Sequence, residues 1–220
     1  METKIITIDG PTSSGKNSVG FLLAQKSGYQ YIDTGMIYRV GTYLVLKSNT
    51  SLNNILQITD IFKGLDIEIK NGNGHLRIYN MGEDLTDVLH TMEVTENVST
   101  VSAIREVREV TKTIQRKLGE SKNTVMTGRD IGSEIFPNAK HKFFLTAKVE
   151  VRAKRRFDQL VKLDPKMKYE DVLKSMLERD KKDTEREVSP LRIPEGAMVI
   201  DNSDMSVEQT VDKMLGFINA

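Results

Sequence analysis

The stretch Lys4-Ile-Ile-Thr-Ile-Asp-Gly-Pro-Thr-Ser-Ser-Gly-Lys16 decides the fold of this chain. Its first six residues form a short β-branched run, which is typical of a buried parallel strand. Residues 10–16, which we call the phosphate loop, match the start of the phosphate-binding pattern G-x-x-x-x-G-K. A helical pattern follows at once and ends at Gly28, a residue type suited to terminate a helix. Strand, glycine-rich turn and helix stand in the order that such a loop requires.

The phosphate loop is suited to hold the phosphates of a nucleotide. Glycines at its bends let successive backbone N–H groups turn inward, and the following helix directs its positive end at the same anion. Lys16 can reach the outer phosphates, whereas the alternative is an ordinary glycine turn between strand and helix. We expect ATP to be bound by Gly10, Pro11, Thr12, Ser13, Ser14, Gly15, Lys16, Asn17 and Ser18.

One position departs from the common motif. Asn17 follows the lysine, where Ser or Thr is usual, and the hydroxyl comes one residue later at Ser18. We therefore expect no direct metal ligand from the protein, with Ser18 bonding a phosphate and with Mg²⁺ held by nucleotide oxygens and water. The sequence has no Asn-Lys-x-Asp guanine reader, which argues against a GTPase switch. An ATP-using phosphotransferase or an ATP-driven machine remains.

Composition excludes several other classes of protein. The 220 residues are 38% apolar and 29% charged, which suits a globular chain with a substantial core. A net charge of +1 gives no general attraction to nucleic acid or anionic lipid. The absence of cysteine excludes disulfides, thiolate zinc sites and a cysteine nucleophile. With no apolar run near ~18 residues and no room for a signal peptide before the first strand, we expect a cytoplasmic protein.

The rest of the chain alternates between predicted strands and helices. Strands are predicted at residues 29–33, 124–126, 142–145 and 198–201, and helices at 36–47 and at 93–118, the latter long or broken. A last helix is predicted from near Ser206, because Gln209 stands in capping-box position. Strands alternating with helices predict an α/β fold on a parallel sheet.

Residues 65–80 follow a different pattern. Ile67 and Ile69 alternate with polar neighbours, and Leu76 and Ile78 do the same further on. The four residues 71–74, Asn-Gly-Asn-Gly, supply turn chemistry between the two runs. We therefore predict an antiparallel hairpin that is inserted into the α/β chain as a small lobe.

A phosphoryl acceptor needs a second anion site near the first, and arginines suit that task. Three segments offer them, namely 33–39, 127–132 and 179–186, each near the expected crevice of the sheet. Taken singly, each segment has a structural alternative: a helix cap, a surface turn and a set of i,i+3 salt bridges. The combination favours an acceptor site.

Together these segments resemble the bacterial-type cytidylate kinases, nucleoside monophosphate kinases that phosphorylate CMP and dCMP from ATP. The resemblance covers almost the whole chain and rests on Ile8-Asp-Gly-Pro11, Ser14-Gly-Lys16, Asp33-Thr-Gly35, Tyr38-Arg39, Gly128-Arg-Asp-Ile-Gly132, Phe136-Pro137, Phe144-Leu145, Arg179-Asp180 and Ser189-Pro-Leu191. The chain departs from that family at Thr127, which is often acidic there, at Glu134, where an apolar residue is expected, and at Lys182, where some members carry arginine.

The resemblance implies a three-layer P-loop fold with a five-stranded parallel sheet. It divides the single kinase domain into a core (1–37, 106–149 and 190–220), a monophosphate-binding lobe with the hairpin insert (38–105) and a helical lid (150–189). It also implies the site roles. Ser99, Arg108 and Asp130 would read the cytosine edge, Thr34, Arg39, Arg129 and Arg186 would hold the CMP phosphate, Asp183 would bind the sugar, and Lys16, Arg155, Arg179 and Arg186 would be catalytic.

The expected reaction is direct in-line transfer, since a phosphate oxygen of CMP is already a nucleophile near neutral pH. The implied partners are ATP, Mg²⁺, CMP and dCMP, with no nucleic acid or membrane, and we expect a monomer. Two alternatives remain open: another small-molecule P-loop kinase acting on UMP, shikimate or a sugar acid, and a non-catalytic nucleotide sensor or RNA-binding module. The neutral charge and 6% aromatic content count against RNA.

Overall fold

The computed structural model describes residues 4–72, 75–162 and 164–219. Its strands are β1 (Ile5–Asp9), β2 (Gln30–Asp33), β3 (Ile67–Gly72), β4 (His75–Asn80), β5 (Glu83–Asp84), β6 (Thr124–Gly128), β7 (His141–Thr146) and β8 (Met198–Asp201). Its α-helices are α1 (Lys16–Ser27), α2 (Thr34–Lys47), α3 (Ile55–Lys63), α4 (Met92–Val101), α5 (Arg105–Glu120), α6 (Val149–Leu160), α7 (Tyr169–Glu185) and α8 (Val207–Ile218). A 3₁₀ turn spans Val88–His90 and a π-helical turn spans Ile131–Ile135.

The central sheet is parallel and has the strand order β2-β6-β1-β7-β8. Strands β1 and β6 are buried on both faces, since successive residues 6–9 and Thr124–Gly128 are all buried. Register pairs Asp9 with Gly128 on the neighbouring strand. The segments after β1, β2 and β6 therefore leave the sheet at one edge. The predicted α/β fold with five parallel strands is confirmed.

The phosphate loop makes a close approach to the neighbouring strand. Gly10 has φ +153°, and a Cβ built there would lie 2.0 Å from the carbonyl oxygen of Leu145, at the end of β7. Only glycine fits this contact. The first position of the motif therefore requires glycine for close packing as well as for the conformation of the turn. At the other end of α1, Gly28 has φ +68° and terminates the helix, as predicted.

The helices cover the sheet with apolar side chains. On one side, Leu23 of α1 and Met214 of α8 are buried against Phe143. Helices α3, α4 and α5 form a second cluster with α2 around Phe62 and Val101. These clusters anchor α1 and α2, the two helices that start directly at the sheet edge, and so hold their N-termini in place.

The predicted hairpin is present. Strands β3 and β4 pair antiparallel, with Ile69 opposite Ile78, and β5 adds a short third strand. Ile67 and Ile78 pack with Ile37 of α2, which explains the alternation seen in the sequence. The predicted turn includes residues 73 and 74, which lie outside the described residues.

The helix predicted over 93–118 is broken. Residues 102–104 separate α4 from α5, and Ile104 adopts an extended conformation before α5 begins. The Ser102 hydroxyl donates to the carbonyl of Ser99 and closes the last turn of α4. The last helix begins as predicted, with reciprocal capping bonds between Ser206 and Gln209.

Several boundaries differ slightly from the prediction: β2 begins one residue later, β6 ends two residues later, and β7 is one residue longer at each end. Strand β1 begins at Ile5 rather than Lys4, and α2 begins at Thr34 rather than at residue 36, because Asp33 caps it through the N–H of Gly35. Within the described ranges, the helices are too short or too polar to cross a bilayer.

The contact at Gly10 makes a testable prediction about stability. Gly10→Ala should lower the free energy of unfolding by about 2 kcal/mol or more, because the new methyl group must displace backbone. Gly28→Ala is the matched control: its φ is also positive, but a Cβ there meets nothing within 4 Å, so only the strain of roughly 1 kcal/mol applies. Urea unfolding measures both values. Equal losses in the two variants would contradict the steric explanation.

Candidate active site

A pocket of about 590 Å³ lies at the carboxyl edge of the central sheet. It is lined by many of the predicted site residues: Lys16, Asn17, Thr34, Arg39, Arg108, Arg129, Asp130, Arg179, Asp183 and Arg186. The phosphate loop, the start of α2, the segment after β6 and helix α7 thus meet at one place. Six cationic side chains face three carboxylates there, those of Asp33, Asp130 and Asp183, so the pocket is suited to anions.

Lys16, the last residue of the phosphate loop, lines the pocket. Its side chain is 6% exposed, and its Nζ donates to the carbonyl of Pro11 (2.6 Å) and to Ser14 Oγ (3.3 Å). Burial, and then the nearby Arg129, hold the pKa of Lys16 well below its usual range. A bound phosphate would reverse this effect, because it supplies the negative charge that the buried ammonium group lacks.

The phosphate loop is held in its turn by backbone conformation. Gly10, Ser13 and Gly15 all have positive φ, which is the conformation that bends the chain around an anion. Asn202, in the segment after β8, donates from Nδ2 to the carbonyl of Ser14 and so supports the loop from outside. Ser18 is exposed on the first turn of α1.

Asp9 joins the phosphate loop to the segment after β6. Its two carboxylate oxygens accept the N–H groups of Ile131 (2.8 Å) and Gly132 (2.7 Å), and its side chain is fully buried. Burial raises the pKa of Asp9 to about 7, against the lowering effect of these two N–H groups. The neighbours Arg129 and Asp130 are therefore positioned by a residue at the start of the phosphate loop.

The arginines of the pocket are held by different partners. Arg129 Nε donates to Asp183 Oδ2 (2.8 Å), and Arg186 Nε donates to the carbonyl of Ser189 (2.6 Å). Arg39 donates to the carbonyl of Leu89 (2.8 Å), in the 3₁₀ turn. These bonds orient the guanidinium groups and leave their other N–H groups for a ligand.

Arg179 is one of three pocket arginines, with Arg108 and Arg186, that keep a buried nitrogen without a hydrogen-bond partner among the described residues. Its Nε is buried and has no hydrogen-bond partner among the described residues. Burial, followed by the charge of Arg129, lowers the pKa of Arg179 to about 10. A buried cation with a missing partner, in a pocket that also contains Lys16, is suited to receive a phosphate.

At the other end of the pocket, two arginines surround one carboxylate. Arg108 and Asp130 form a buried ion pair, and Arg186 lies 3.7 Å from the second oxygen of Asp130. Arg108 also donates to the carbonyl of Ser102 (3.1 Å) and lies over the ring of Tyr38. A carboxylate beside a guanidinium offers one acceptor and several donors, which can read the edge of a nucleobase.

Among the residues predicted for catalysis and acceptor binding, Ser99 and Arg155 lie outside the pocket lining, as do residues 10–15 and 18 of the predicted donor site. Ser99 is on α4, where its carbonyl closes the helix, and Ser102 lines the pocket in its place. Arg155 of α6 donates to the side chain and the carbonyl of Asn202. Near Gly15, it borders the phosphate loop rather than the acceptor end. The roles predicted for both residues remain predictions.

The structure also shows where Thr34 lies, and where the three residues lie that depart from the cytidylate kinase pattern, namely Thr127, Glu134 and Lys182. Thr34 is buried and donates to the carbonyl of Thr127 (2.9 Å), which ties the start of α2 to β6. The hydroxyl of Thr127 lies 3.0 Å from that of Tyr31, inside the sheet layer. Glu134 pairs with Arg192 away from the pocket, and Lys182 is exposed. None of these side chains lines the pocket except Thr34.

The oxygen donors near Lys16 suit a metal ion that arrives with a nucleotide. Asn17 donates from Nδ2 to Asp33 Oδ2 (2.5 Å), and both side chains line the pocket. Among the described residues there is no group of three or more His, Cys, Asp or Glu side chains that could hold a metal ion by itself. Mg²⁺ commonly keeps several waters and takes only one or two carboxylates plus phosphate oxygens, so this donor set fits it.

Several residues of the site lacked a signal in the sequence. Asp9, Ser102 and Asn202 are single polar residues in ordinary strand or loop positions. Asp33 could have been found from its position as a helix cap at the end of β2. Tyr38 could have been recognised as a site residue because it directly precedes Arg39, a predicted site residue on the same helix.

Comparisons with known proteins agree with this geometry. A family model described as cytidylate kinase matches residues 6–220. The chain is 42% identical over 216 residues to the cytidylate kinase of Bacillus subtilis strain 168, covering 98% of this chain and 96% of that protein. It is 43% identical over 209 residues to the cytidylate kinase of Caldanaerobacter subterraneus, covering 95% and 92%.

Solved structures with similar folds have low sequence identity and support the fold alone. An uncharacterized protein from Eubacterium ventriosum is 13% identical, with a TM-score of 0.54 and 99% coverage of both chains. A shikimate kinase from Bacteroides thetaiotaomicron is 12% identical, with a TM-score of 0.50 and 99% coverage of both chains.

The buried carboxyl of Asp9 makes a prediction about pH. Its pKa is about 7 in the folded chain and 3.8 as an ordinary value, so the folded state favours the protonated form. The stability that Asp9 contributes is complete below pH 3.8 and is lost as the pH rises through 7. From pH 5 to pH 7, the free energy of unfolding should therefore fall by about 2 kcal/mol relative to Asp9→Asn, which does not titrate.

Urea unfolding at several pH values checks this prediction for both proteins. The comparison uses the slope against pH, so a constant difference in stability between them does not affect it. Parallel curves would show that the carboxyl is ionised throughout this range.

Proposed function

The chain belongs to the cytidylate kinase family, and on this basis we propose that it transfers the γ-phosphoryl group of ATP to the phosphate of CMP or dCMP. The products are ADP and CDP or dCDP. The observation that supports this most strongly is one pocket lined by Lys16, Arg129, Arg179 and Arg186, which lie on segments far apart in the sequence. Such a cluster neutralises the charge of two phosphate groups that meet end to end.

The donor binds at the phosphate loop. The loop N–H groups and the start of α1 surround the β- and γ-phosphates, and Lys16 contacts them from the side. Arg155 lies at the same end, beside Asn202, and completes the donor site. When Mg²⁺ is bound with ATP it supplies further charge neutralisation, and Asn17 and Asp33 are placed to hold the waters around it.

The acceptor binds at the opposite end. Asp130 accepts a hydrogen bond from the exocyclic amino group of cytosine, while Arg108 donates to the ring carbonyl, with Ser99 or the nearby Ser102 contributing. Thr34, Arg39, Arg129 and Arg186 hold the CMP phosphate, and Asp183 binds the sugar hydroxyls. The pairs already formed, Arg108 with Asp130 and Arg129 with Asp183, hold these groups in orientation before the nucleotide arrives.

The phosphoryl transfer requires that the two substrates be correctly positioned, and it does not require a general base. An oxygen of the CMP phosphate attacks the γ-phosphorus in line, the bond from that phosphorus to the β,γ-bridging oxygen breaks, and ADP leaves. Lys16, Arg179 and Arg186 stabilise the charge on the transferring group. Because these cations are buried before binding, their attraction to phosphate is stronger than it would be in water.

The domain roles follow from the same geometry. The core (1–37, 106–149 and 190–220) provides the phosphate loop, the lobe (38–105) encloses the acceptor, and the lid (150–189) covers the transferring group and excludes water. The chain would act as a monomer in the cytoplasm and without nucleic acid. Its near-neutral charge supports the absence of a nucleic-acid partner.

The reaction is tested with ATP, Mg²⁺ and a panel of acceptors containing CMP, dCMP, UMP, shikimate and gluconate. CDP and dCDP should be the dominant products, measured by ion-exchange chromatography. Lys16→Met should lower kcat by at least about 100-fold, as the loss of one preorganised charge does elsewhere. Lys26→Met is the control, because Lys26 lies on the same helix but pairs with Asp212 at the surface. A dominant product other than these two would exclude the proposed substrate.

The base-reading role of Asp130 is tested with Asp130→Asn. The carboxylate accepts from the amino group of cytosine but repels the carbonyl of uracil, and the amide can donate to that carbonyl. The ratio of kcat/KM for CMP to that for UMP should therefore fall roughly tenfold. Glu134→Asn, four residues further on and outside the pocket, should leave it unchanged. An unchanged ratio in Asp130→Asn would show that other residues read the base.

A further inference from the structure

Two lid helices meet the phosphate loop at one residue, Thr12. Its backbone N–H donates to Asp180 Oδ1 of α7 (3.2 Å), and its carbonyl accepts from Arg152 Nη1 of α6 (3.1 Å). The same Nη1 donates to Asp180 Oδ2 (2.5 Å), so the three residues are mutually bonded. We call Thr12, Arg152 and Asp180 the Thr12 clamp.

The two charged residues of the Thr12 clamp form their hydrogen bonds with other parts of the protein. Arg152 also donates from Nε to the carbonyl of Ala147 (3.0 Å), just before α6 begins. The side chain of Arg152 is 9% exposed and that of Asp180 is 17% exposed. Neither residue is part of the pocket lining. Their bonds are to Thr12, to Ala147 and to each other, whereas Arg179, the neighbour of Asp180 along α7, lines the pocket.

The Thr12 clamp opposes a repulsion inside the pocket. With α7 in its observed position, the buried guanidinium of Arg179 shares the pocket with Lys16 and Arg129. Like charges in a buried pocket repel one another until an anion binds between them. This repulsion tends to move α7 away from the phosphate loop, whereas the bonds of Asp180 and Arg152 to Thr12 hold it there.

We propose that Arg152 and Asp180 are positioning residues for phosphoryl transfer. They bond both sides of one residue of the phosphate loop to both lid helices, so that lid closure places the loop and Arg179 in one arrangement around the donor phosphates. The proposal rests on the kinase function proposed above. It goes beyond that function by assigning two residues that act on the donor only through Thr12 and Arg179.

The consequence is a coupling between lid position and donor binding. ATP binds most tightly to the arrangement in which Arg179 faces the phosphate loop, so a chain that spends less time in it binds ATP more weakly by the same factor. An incompletely closed lid also admits water to the γ-phosphate. Both effects distinguish positioning from a general contribution to stability.

The test compares Asp180→Ala with Asp158→Ala. Asp158 pairs with Lys154 on the exposed face of α6, so the control removes the same group from another ion pair of the lid without touching the phosphate loop. We expect Asp180→Ala to raise the KM for ATP roughly tenfold. It should also raise the ratio of ATP hydrolysis to CDP formation several-fold. Asp158→Ala should match the wild type in both.

Amide hydrogen exchange followed by NMR provides a readout that does not depend on turnover. In the protein without nucleotide, the Thr12 amide should exchange at least about tenfold faster in Asp180→Ala than in the wild type, because its acceptor is lost. Amides of β1 and β6 should exchange at unchanged rates. Equal acceleration throughout the core would indicate general destabilisation and would overturn the positioning role.

Arg152→Lys is a second variant, which tests the positioning role if Asp180→Ala does not fold. Lysine keeps the charge but cannot bond Ala147, Thr12 and Asp180 together, so the same changes in KM and hydrolysis are expected. Unchanged values in an active variant would overturn the positioning proposal alone. Failure of the wild type to form CDP would instead contradict the proposed function, and the positioning role with it.

Discussion

The carboxylate of Asp9 is the constraint on which the site depends. It stands at the end of the central strand, where the phosphate loop begins, and it accepts two N–H groups from the turn that follows β6. Parallel pairing of β1 with β6 brings these two strand ends together. One buried side chain thereby fixes the distance between the phosphate loop and the segment that carries Arg129 and Asp130.

The second organising feature is the distribution of charge around the pocket. Two carboxylates that line it, those of Asp130 and Asp183, are used to orient Arg108 and Arg129, while Arg179 keeps a buried Nε without a partner among the residues described. Positive charge therefore exceeds negative charge in the pocket. Bonds to backbone carbonyls orient Arg39 and Arg186 despite this excess, and a pocket with such a charge favours anions.

Many of the elements were predictable because their signals are local. The phosphate loop, the end of α1 at Gly28 and the capping box at Ser206 each depend on residues a few positions apart. The hairpin was predictable from the alternation around Ile69 and Ile78. The site residues were harder to assign. Ser99 and Ser102 are three residues apart on the same helical turn, and the sequence does not reveal which of them faces the pocket.

The fold class, the phosphate loop and the arginines from which the site is built were all predictable from the sequence. The patterns that indicate strands, turns and helices depend on residues close together along the chain. The tertiary structure was needed to show which of these arginines line the pocket and which other parts of the chain each of them contacts. Arg152 and Arg155 lie one turn apart on α6, yet one bonds Thr12 and the other Asn202. Their partners are 140 and 47 residues away along the chain, and contacts over such separations depend on how the helices pack against the sheet.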